Sequence, residues 1–367
     1  MSRAGELRVG IVGKRGQAFI AGLRSLPEVY VAAFCELDPA VLECGADRHG
    51  IPGRYRDFAE IVETDLDAVI VATPMQLHAP QSIAALAKGK HVLSEVTAAV
   101  SLDECRQLVA AVRRSGRKYM LAENYCYTKP NLMVRHMVGL GLFGDVYYAE
   151  GAYIHDCHEL HYDAAGKPTW RTTWQVGRNG CTYGTHSLGP VLQWLGEPLV
   201  TVSCLGSAVH TVPEHRMDDS VVMLGKTRRG GLVSVRLDMQ SHRPHNMTHY
   251  VLQGTRGAYQ SARRPGEPDL VWIEGRSPGP REWQPLEEYE PELLSEPWRS
   301  QGEAAVRAGH GGSDYFVVRD FVRSILDDAN PPIDVYAALD FTVPGLVSEE
   351  SIARGGAPVP VPDFRTL

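Results

Sequence analysis

Short apolar runs alternate with amphipathic stretches over the first third of the chain. The apolar runs span residues 7–12, 29–35, 67–72, 90–94 and 118–122. Between them, apolar residues recur every three or four positions, which is the spacing of an amphipathic helix. This alternation predicts an α/β domain with a parallel, doubly wound sheet, in which a ligand binds at the carboxyl ends of the strands.

Longer β-like runs dominate the rest of the chain. The pattern predicts one helix before them, over 129–138, and two helices after them, over 314–326 and 337–352. The β-like runs cover 146–154, 199–209, 220–224, 232–239 and 248–253. They predict an α+β domain with a large, mainly antiparallel open sheet, one face of which packs on helices. Residues 261–302, rich in Pro, Glu and Arg, are predicted to form an extended surface excursion.

Length and composition fit two domains of an ordinary soluble protein. The chain has 367 residues, of which 44% are hydrophobic and 22% are charged. We place the boundary where the pattern changes, which gives one domain over 1–124 and a second over 125–367. A net charge of -7 and the lack of a basic stripe argue against a nucleic-acid partner. No apolar run approaches the roughly 18 residues that span a membrane and no signal peptide is recognisable, so we expect a cytoplasmic protein.

A glycine turn follows the first predicted strand. It reads Gly13-Lys14-Arg15-Gly16-Gln17. A turn between a strand and a helix is where backbone N–H groups face a pyrophosphate, although the spacing GxGxxG keeps only Gly13 of its three glycines. Glu36 ends the second strand, where a carboxylate hydrogen-bonds an adenosine ribose. Because no arginine stands beside Glu36, the site favours NAD over NADP.

The other strands of this domain also end in polar loops. Thr73-Pro74 follows the third strand, Glu95-Val96 the fourth and Asn124 the fifth, and His78 opens a helix. Because the carboxyl ends of parallel strands share one edge of the sheet, we expect these loops to line the NAD site. The predicted cofactor-binding residues are Gly13, Lys14, Arg15, Gly16, Gln17, Glu36, Thr73, Pro74, His78, Glu95, Val96 and Asn124.

A tyrosine and a histidine stand three residues apart at the start of a predicted helix near the middle of the chain. Tyr183 and His186 lie in the stretch 180–189, which begins and ends with glycine. Residues i and i+3 share one face of a helix, so a phenol and an imidazole there can transfer protons side by side. The alternative is a buried pair that caps a core helix. Tyr125, at the end of the fifth strand, is a further candidate for proton transfer.

Histidines 155, 158 and 161 raise the question of a metal. On a helix this spacing drifts off one face, and along a strand the side chains alternate, so neither form gathers a ligand set. Histidines 242, 245 and 249 are discounted on the same ground. The seven cysteines are scattered without a CxxC pair, which indicates neither a zinc site nor a disulfide framework. We therefore predict no metal and place His155 in a sugar pocket.

Cations and tryptophans alternate just before the stretch that holds Tyr183. One interpretation is a solvated loop. The other is a lid whose aromatic rings stack on a sugar and whose cations bind an anionic group. The predicted substrate-binding residues are Tyr127, Tyr153, His155, Lys167, Trp170, Arg171, Trp174 and Gln175.

The sequence resembles the glucose-fructose oxidoreductase, inositol dehydrogenase and MocA family over nearly its whole length. The resemblance rests on the glycine turn, on 72–74 with His78, on the Glu95 loop and on the Tyr/His helix start. It implies a Rossmann domain with NAD as cofactor, and a homodimer or homotetramer formed through the open sheet. Two positions depart from the family pattern. Val96 replaces a lysine that assists proton removal, and Thr182 replaces an aspartate; valine transfers no proton.

Five separated segments resemble one branch of that family, the NAD-dependent glycosidases typified by bacterial α-N-acetylgalactosaminidases. The segments are 123–127, 150–156, 185–196, 310–314 and 360–364. The branch implies redox-neutral cleavage of a glycoside. NAD oxidises carbon 3 of the sugar, a base removes the proton at carbon 2, the aglycone leaves, water adds, and NADH returns the hydride.

In this hypothesis His186 polarises the carbon 3 hydroxyl and Tyr183 or Tyr125 takes the proton at carbon 2. Two alternatives stay open. One is a plain NAD-dependent dehydrogenase of a sugar or cyclic polyol, in which His186 and Tyr183 replace the lysine-centred relay. The other is an inactive NAD-bound sensor, because two of the three residues of the usual dehydrogenase triad are missing.

Overall fold

A computed structural model describes residues 5–240, 242–294, 296–306 and 308–366 of the chain. The chain divides into two compact units, each built from separate stretches of sequence. The first unit contains Met1–Tyr127, Ser300–Leu339 and Phe364–Leu367, and the second contains Thr128–Arg299 and Asp340–Asp363. Residues 300–339, which lie within the second predicted domain, therefore cluster with the first unit.

The helices and strands follow the predicted alternation closely. The strands are β1 (Leu7–Val12), β2 (Val29–Cys35), β3 (Gly53–Tyr55), β4 (Ala68–Val71), β5 (His91–Ser94), β6 (Tyr119–Leu121), β7 (Val146–Ile154), β8 (Leu199–Gly206), β9 (Val221–Thr227), β10 (Leu232–Asp238), β11 (Asn246–Gly254), β12 (Gly257–Gln260), β13 (Leu270–Ile273), β14 (Gln284–Pro285) and β15 (Val359–Pro360). The α-helices are α1 (Ile20–Arg24), α2 (Pro39–Arg48), α3 (Phe58–Val62), α4 (His78–Ala87), α5 (Leu102–Ser115), α6 (Lys129–Gly139), α7 (His158–His161), α8 (Arg171–Trp174), α9 (Thr185–Leu195), α10 (Glu290–Leu293), α11 (Glu296–Val306), α12 (Ser313–Leu326) and α13 (Val335–Ala353). Short 3-10 helices span Lys14–Phe19, Met75–Leu77, Asn124–Tyr127, Leu286–Tyr289 and His310–Gly312. No described helix is both long enough and apolar enough to cross a membrane.

The first unit is built on a six-stranded parallel sheet in the order β3-β2-β1-β4-β5-β6. This order reverses direction beside β1, which makes the sheet doubly wound and confirms the predicted Rossmann domain. Its central strand β4 consists of four apolar residues that are all buried, as expected of a strand covered on both faces. Helix α5 begins with a side-chain cap, because the Ser101 hydroxyl accepts the backbone N–H of Glu104 at 3.2 Å.

The second unit is built on a nine-stranded sheet in the order β14-β13-β12-β11-β7-β10-β9-β8-β15. Only β7 and β10 pair in parallel, and every other described pair is antiparallel, which confirms a mainly antiparallel sheet. Strand β9 alternates buried and exposed residues, so one face of the sheet is open. Helix α9 covers the other face at β7. A Cβ on Gly151 would lie 2.7 Å from the Ser187 carbonyl oxygen, so glycine permits this close approach.

The prediction of an extended surface excursion over 261–302 is wrong. Strand β13 pairs with β12 and β14 and extends the sheet at its edge. Val271 and Ile273 are buried, whereas Leu270 and Trp272 are half-buried. An alternating run of four residues is a weak signal when Pro, Gly and Glu surround it, which explains why the sequence pattern did not reveal the strand.

Candidate functional site

The glycine turn after β1 is packed against the end of β4. Gly13 has φ of +92°, and a Cβ on it would lie 2.4 Å from the Ala72 carbonyl oxygen. A Cβ on Gly16 would lie 2.6 Å from a methyl group of Ile11. Both positions therefore require glycine. The 3-10 helix Lys14–Phe19 begins directly after Gly13. The turn forms a backbone cradle of the kind that receives a pyrophosphate.

Glu36, the first residue after β2, is fixed beside this turn. One carboxylate oxygen accepts the backbone N–H of Lys14 at 2.7 Å, and the other accepts the N–H of Asp38 at 3.2 Å. The carboxylate thus stands at the carboxyl edge of the sheet next to the glycine turn. This is the position from which an acidic residue binds the ribose hydroxyls of a dinucleotide.

His78 connects two of the predicted cofactor loops. It is 1% exposed, and its ring nitrogens lie 2.7 Å from the Thr73 carbonyl oxygen and 2.9 Å from that of Thr97. Burial is the largest influence on the pKa of His78 and lowers it, against the hydrogen bonds to carbonyls that raise it. The histidine therefore holds the loop of Thr73 and Pro74 against the loop that follows β5. It supports both loops from the interior of the protein.

Three more of the predicted cofactor residues, Arg15, Glu95 and Asn124, take part in polar contacts. Arg15 lies 3.4 Å from Glu95, between its Nε and the Oε1 of the carboxylate. Asn124 donates to Asp314 at 3.2 Å, and the other Asp314 oxygen lies 2.7 Å from Nδ1 of His310. Asp314 is fully buried, so the two partners hold its carboxylate in the first turn of α12. The sequence patterns assigned no role to Asp314, although it ends the segment 310–314 that resembles the glycosidase branch and begins the predicted helix 314–326.

An aromatic and imidazole cluster occupies the second unit, where α9 begins beside β7. The ring centroids of Tyr183 and His186 are 5.5 Å apart, and Tyr153 lies 5.0 Å from His186 and 6.0 Å from Tyr183. His186 is 7% exposed and Tyr153 is 6% exposed. The side-by-side arrangement inferred from the i, i+3 spacing is therefore present. Thr182, at the departure from the family pattern, is buried and has no carboxylate to contribute.

His155 extends the cluster along β7. Its Nδ1 lies 2.9 Å from the Tyr153 hydroxyl, and its ring lies 4.7 Å from that of His245. Burial, followed by the positive charges of His245, Arg171 and His186, lowers the pKa of His155 to about 4. The imidazole is therefore neutral near pH 7. No pattern in the sequence indicated that His245 lies beside His155, because a histidine outside a regular element gives no periodic signal.

The predicted lid residues differ in their surroundings. The Arg171 guanidinium lies over the Trp170 ring at 4.5 Å and donates to Gln175 at 3.1 Å. Gln175 is buried, Trp174 is half-buried and Lys167 is exposed. Arg171 is thus oriented by an aromatic face and an amide, whereas the Lys167 side chain lies in solvent.

Two tyrosines and one valine of the predicted site belong to the first unit. Tyr125 is half-buried and its backbone N–H donates to Glu123 at 3.2 Å. Tyr127 is 4% exposed. Val96 is 5% exposed, so the position where the family carries a lysine offers only an apolar side chain.

Two family models together cover almost the whole chain. Residues 127–199 and 205–366 match the model described as glycosyl hydrolase 109, C-terminal domain. The chain belongs to glycosyl hydrolase family 109. Residues 7–123 match the model described as oxidoreductase family, NAD-binding Rossmann fold. The resemblance to the glucose-fructose oxidoreductase, inositol dehydrogenase and MocA family is thereby confirmed.

Relatives and solved structures agree with this assignment. A glycosyl hydrolase family 109 protein of Shewanella woodyi is 31% identical over 404 residues, which cover 98% of this chain and 85% of the relative. One of Solibacter usitatus is 29% identical over 395 residues, with 98% and 88% covered. A levoglucosan dehydrogenase in complex with NADH and L-sorbose has a TM-score of 0.82 at 22% identity, with 98% and 99% covered. An NAD binding oxidoreductase from Klebsiella pneumoniae has a TM-score of 0.81 at 21% identity, with 97% and 99% covered. The structural likeness establishes the fold alone.

The first unit of this family 109 member fits NAD. The absence of a Cβ at Gly13 lets the turn pack directly on the Ala72 carbonyl at the carboxyl end of β4, the edge of the sheet where a dinucleotide binds in this fold. Glu36 carries the carboxylate expected at the adenosine ribose. The cofactor prediction is confirmed, and the protein is an NAD-dependent enzyme.

Proposed function

We propose that this family 109 member is an NAD-dependent, redox-neutral glycosidase acting on a sugar glycoside. The observation that carries the proposal is the match of 127–199 and 205–366 to the glycosyl hydrolase 109 C-terminal domain, a stretch that contains Tyr183 and His186. The apolar side chain of Val96 supports it, because a lysine-assisted dehydrogenase relay has no proton carrier there.

The chain's own residues hold the cofactor and prepare the substrate. A bound nicotinamide supplies reversible hydride transfer, so a sugar carbon can be oxidised and reduced again without net redox change. The glycine turn that begins at Gly13 would hold its phosphates and Glu36 would hold its adenosine ribose. His78 keeps the Thr73 loop in place for this role.

His186 is assigned to the carbon 3 hydroxyl of the sugar. Its ring packs against Tyr153 and Tyr183, which also lie 6.0 Å from each other, so a sugar held at this cluster meets an imidazole beside two aromatic rings. A neutral imidazole accepts the hydroxyl proton and becomes an imidazolium. The carbon 3 ketone that results acidifies the hydrogen at carbon 2.

Tyr183 is assigned to the proton at carbon 2. An unperturbed phenol has a pKa of about 10, so it needs a nearby positive charge to act as a base at neutral pH. His186 supplies that charge once it has taken the hydroxyl proton, because the two rings are only 5.5 Å apart. The first proton transfer thus prepares the second, and an oxidised sugar loses its aglycone by elimination.

A screen of p-nitrophenyl glycosides tests the proposal. Both anomers of neutral, uronic, N-acetyl and sulfo sugars are offered with catalytic NAD and without it, and nitrophenol and NADH absorbance are followed together. We expect nitrophenol over many turnovers with no net NADH, lost in Tyr183→Phe and His186→Ala and kept in Tyr147→Phe, an exposed tyrosine of the same strand as Tyr153. NADH accumulating in step with sugar consumed would identify a sugar or polyol dehydrogenase instead. NAD binding without turnover would identify a sensor.

We also propose that the protein is a cytoplasmic homodimer or homotetramer joined through the open face of the nine-stranded sheet. Apolar side chains line that face: Val222 is 42% exposed, Leu224 is 46% exposed and Leu232 is 41% exposed. Burying them against a second copy would stabilise the assembly. Light scattering on the wild type and on Leu224→Lys tests this, since a monomeric wild type contradicts it. Cell fractionation tests the location.

A further inference from the structure

Two turns of the second unit lie side by side at the ends of β7 and β10. The two strands pair in parallel up to Ile154 and Asp238. The pairing continues past the strand ends, because the N–H of His155 donates to the Asp238 carbonyl at 2.8 Å and that of Cys157 donates to Met239 at 3.2 Å. Residues 155–157 therefore run beside residues 238 and 239, which precede His242 by a few positions in the chain.

This arrangement gathers one carboxylate and two imidazoles. Asp156 Oδ1 lies 2.5 Å from Nδ1 of His158, and Asp156 Oδ2 lies 3.7 Å from Nδ1 of His242. The rings of His158 and His242 are stacked with centroids 4.2 Å apart and an angle of 6° between them. A potential ligand atom of each residue lies within 4.8 Å of those of the other two.

We propose that Asp156, His158 and His242 form a binding site for one divalent transition-metal ion of the zinc class. Zn²⁺ is bound in proteins by imidazole nitrogens and carboxylate oxygens at about 2.0–2.2 Å. Ligand atoms around such an ion stand roughly 3 to 3.5 Å apart by that geometry. Binding therefore requires the Asp156–His158 pair to open from 2.5 Å and the Asp156–His242 pair to close from 3.7 Å. The two parallel imidazole rings must also turn so that their nitrogen lone pairs meet at the ion. The ion takes the place of the proton held between Asp156 and His158.

The donor set decides the class of ion. Two imidazoles and one carboxylate suit Zn²⁺, Co²⁺ or Ni²⁺, whereas Ca²⁺ and Mg²⁺ prefer sites made of oxygen atoms. The His242 side chain is 70% exposed, which leaves a path for the ion to enter. Three protein ligands leave coordination positions open for water or another ligand.

A third imidazole stands next to the site. His161 is 1% exposed, and its ring centroid is 5.7 Å from that of His158. Its Nε2 has no hydrogen-bond partner among the residues that the structure describes. Two imidazoles on one zinc ion have centroids at most roughly 6.5 Å apart given the metal–nitrogen distance. His161 is thus near enough to become a further ligand of the ion after a small rotation of its side chain. This rotation breaks no hydrogen bond of its Nε2.

The spacing of histidines 155, 158 and 161 along the chain does not indicate this set of three ligands. The structure instead pairs Asp156 and His158 with His242, which lies 84 positions beyond His158 in the chain. Parallel pairing of β7 with β10 supplies this long-range contact, and no local spacing records it.

Metal titration of the full chain, produced without a histidine tag and stripped with a chelator, tests the proposal. Co²⁺ is added and its visible d–d absorption recorded, and the Zn²⁺ content after gel filtration is measured by mass spectrometry. We expect one ion per chain. Asp156→Asn and His242→Asn should each weaken metal binding more than about tenfold. Replacing residues that only support metal ligands already lowers metal affinity by about this factor. The control His136→Gln, an exposed histidine of α6, should bind as the wild type does.

The same experiment overturns the proposal in defined ways. Absence of stoichiometric binding contradicts it, and so does equal affinity in the wild type, Asp156→Asn and His242→Asn. His242 is exposed, so His242→Asn should keep the fold, which circular dichroism checks. Binding should also weaken as pH falls below about 6, because imidazoles must be deprotonated to bind the ion. Metal binding is measured without turnover, so failure of the glycosidase proposal leaves this test intact.

Discussion

The Tyr250 hydroxyl donates a 2.6 Å hydrogen bond to the backbone carbonyl of His186. Tyr250 lies on β11, is 1% exposed and pairs with Gly151 of β7. The same strand pair therefore carries Tyr153 and fixes the first turn of α9. The sheet beneath α9 therefore helps to fix the backbone of His186.

Replacing Tyr250 with Phe should lower turnover while NAD affinity stays unchanged. The variant keeps the ring and removes only the hydroxyl, so the expected loss in free energy of unfolding is about 0.5 to 1.5 kcal/mol. The first turn of α9 then gains freedom and His186 is held less firmly. Urea unfolding, kcat and NAD binding measure the three effects. Tyr147→Phe serves as the control, and an unchanged kcat in Tyr250→Phe would rule out this positioning role.

Glycoside cleavage in D₂O should place deuterium at carbon 2 of the product sugar. In the proposed mechanism Tyr183 removes that proton before the aglycone leaves, and solvent returns a different one when water adds. Nuclear magnetic resonance of the released sugar detects the label. General-base catalysis contributes about 10²–10⁴-fold, so Tyr183→Phe should lower the rate by that factor. Cleavage with no deuterium at carbon 2 would indicate direct displacement and refute the elimination.

Glu36→Ala should weaken NAD binding about tenfold or more and narrow the preference for NAD over NADP. The carboxylate accepts two backbone N–H groups, from Lys14 and Asp38, and hydrogen bonds to charged groups contribute about 1.5 to 3 kcal/mol. Removing it loosens the turn and also removes the charge that repels a 2′-phosphate. Calorimetric titration with both cofactors measures the change. Glu60→Ala, an exposed glutamate of α3, should behave as the wild type, and an unaltered cofactor preference in Glu36→Ala would contradict the assignment.

Local periodicity predicted five of the six strands of the parallel sheet. These five are largely apolar runs of three to seven residues, and the helices between strands carry their own signals, such as the Ser101 cap of α5. The pattern did not reveal β3, which has only three residues, Gly53–Tyr55. The same logic failed at β13, where four alternating residues lie among prolines and glycines. It also gave no sign that 300–339 cluster with the first unit, because clustering depends on long-range contacts.

The candidate site was predictable where its residues are close in sequence. Tyr183 and His186 were found from one helical turn, and their rings are adjacent in the structure. Tyr250 and His245 were missed because they reach the cluster from β11 and the turn before it, at positions that no local motif marks. Sequence patterns report spacing along one element, whereas a site of this kind draws on several strands.

His91 provides a pH-dependent test of the parallel sheet. It begins β5, and its Nδ1 accepts the backbone N–H of Lys118 at 3.0 Å, which requires a neutral nitrogen. Burial, followed by the charges of Arg117 and Lys118, lowers the pKa of His91 to about 4. The folded state therefore resists protonation at a pH where the unfolded chain, with a histidine pKa of about 6.5, accepts it.

Stability should accordingly decrease as pH falls from about 6.5 toward 4, because in that window the unfolded chain binds a proton that the folded chain does not. The contribution of His91 is fully present above pH 6.5 and is lost as the pH approaches its folded pKa. Urea unfolding midpoints at pH 7, 6, 5 and 4.5 measure the effect. His91→Gln retains a polar side chain without a titrating ring and should flatten the pH dependence, whereas His136→Gln should leave it at the wild-type slope. An identical slope in His91→Gln and the wild type would show that this imidazole does not couple folding to pH.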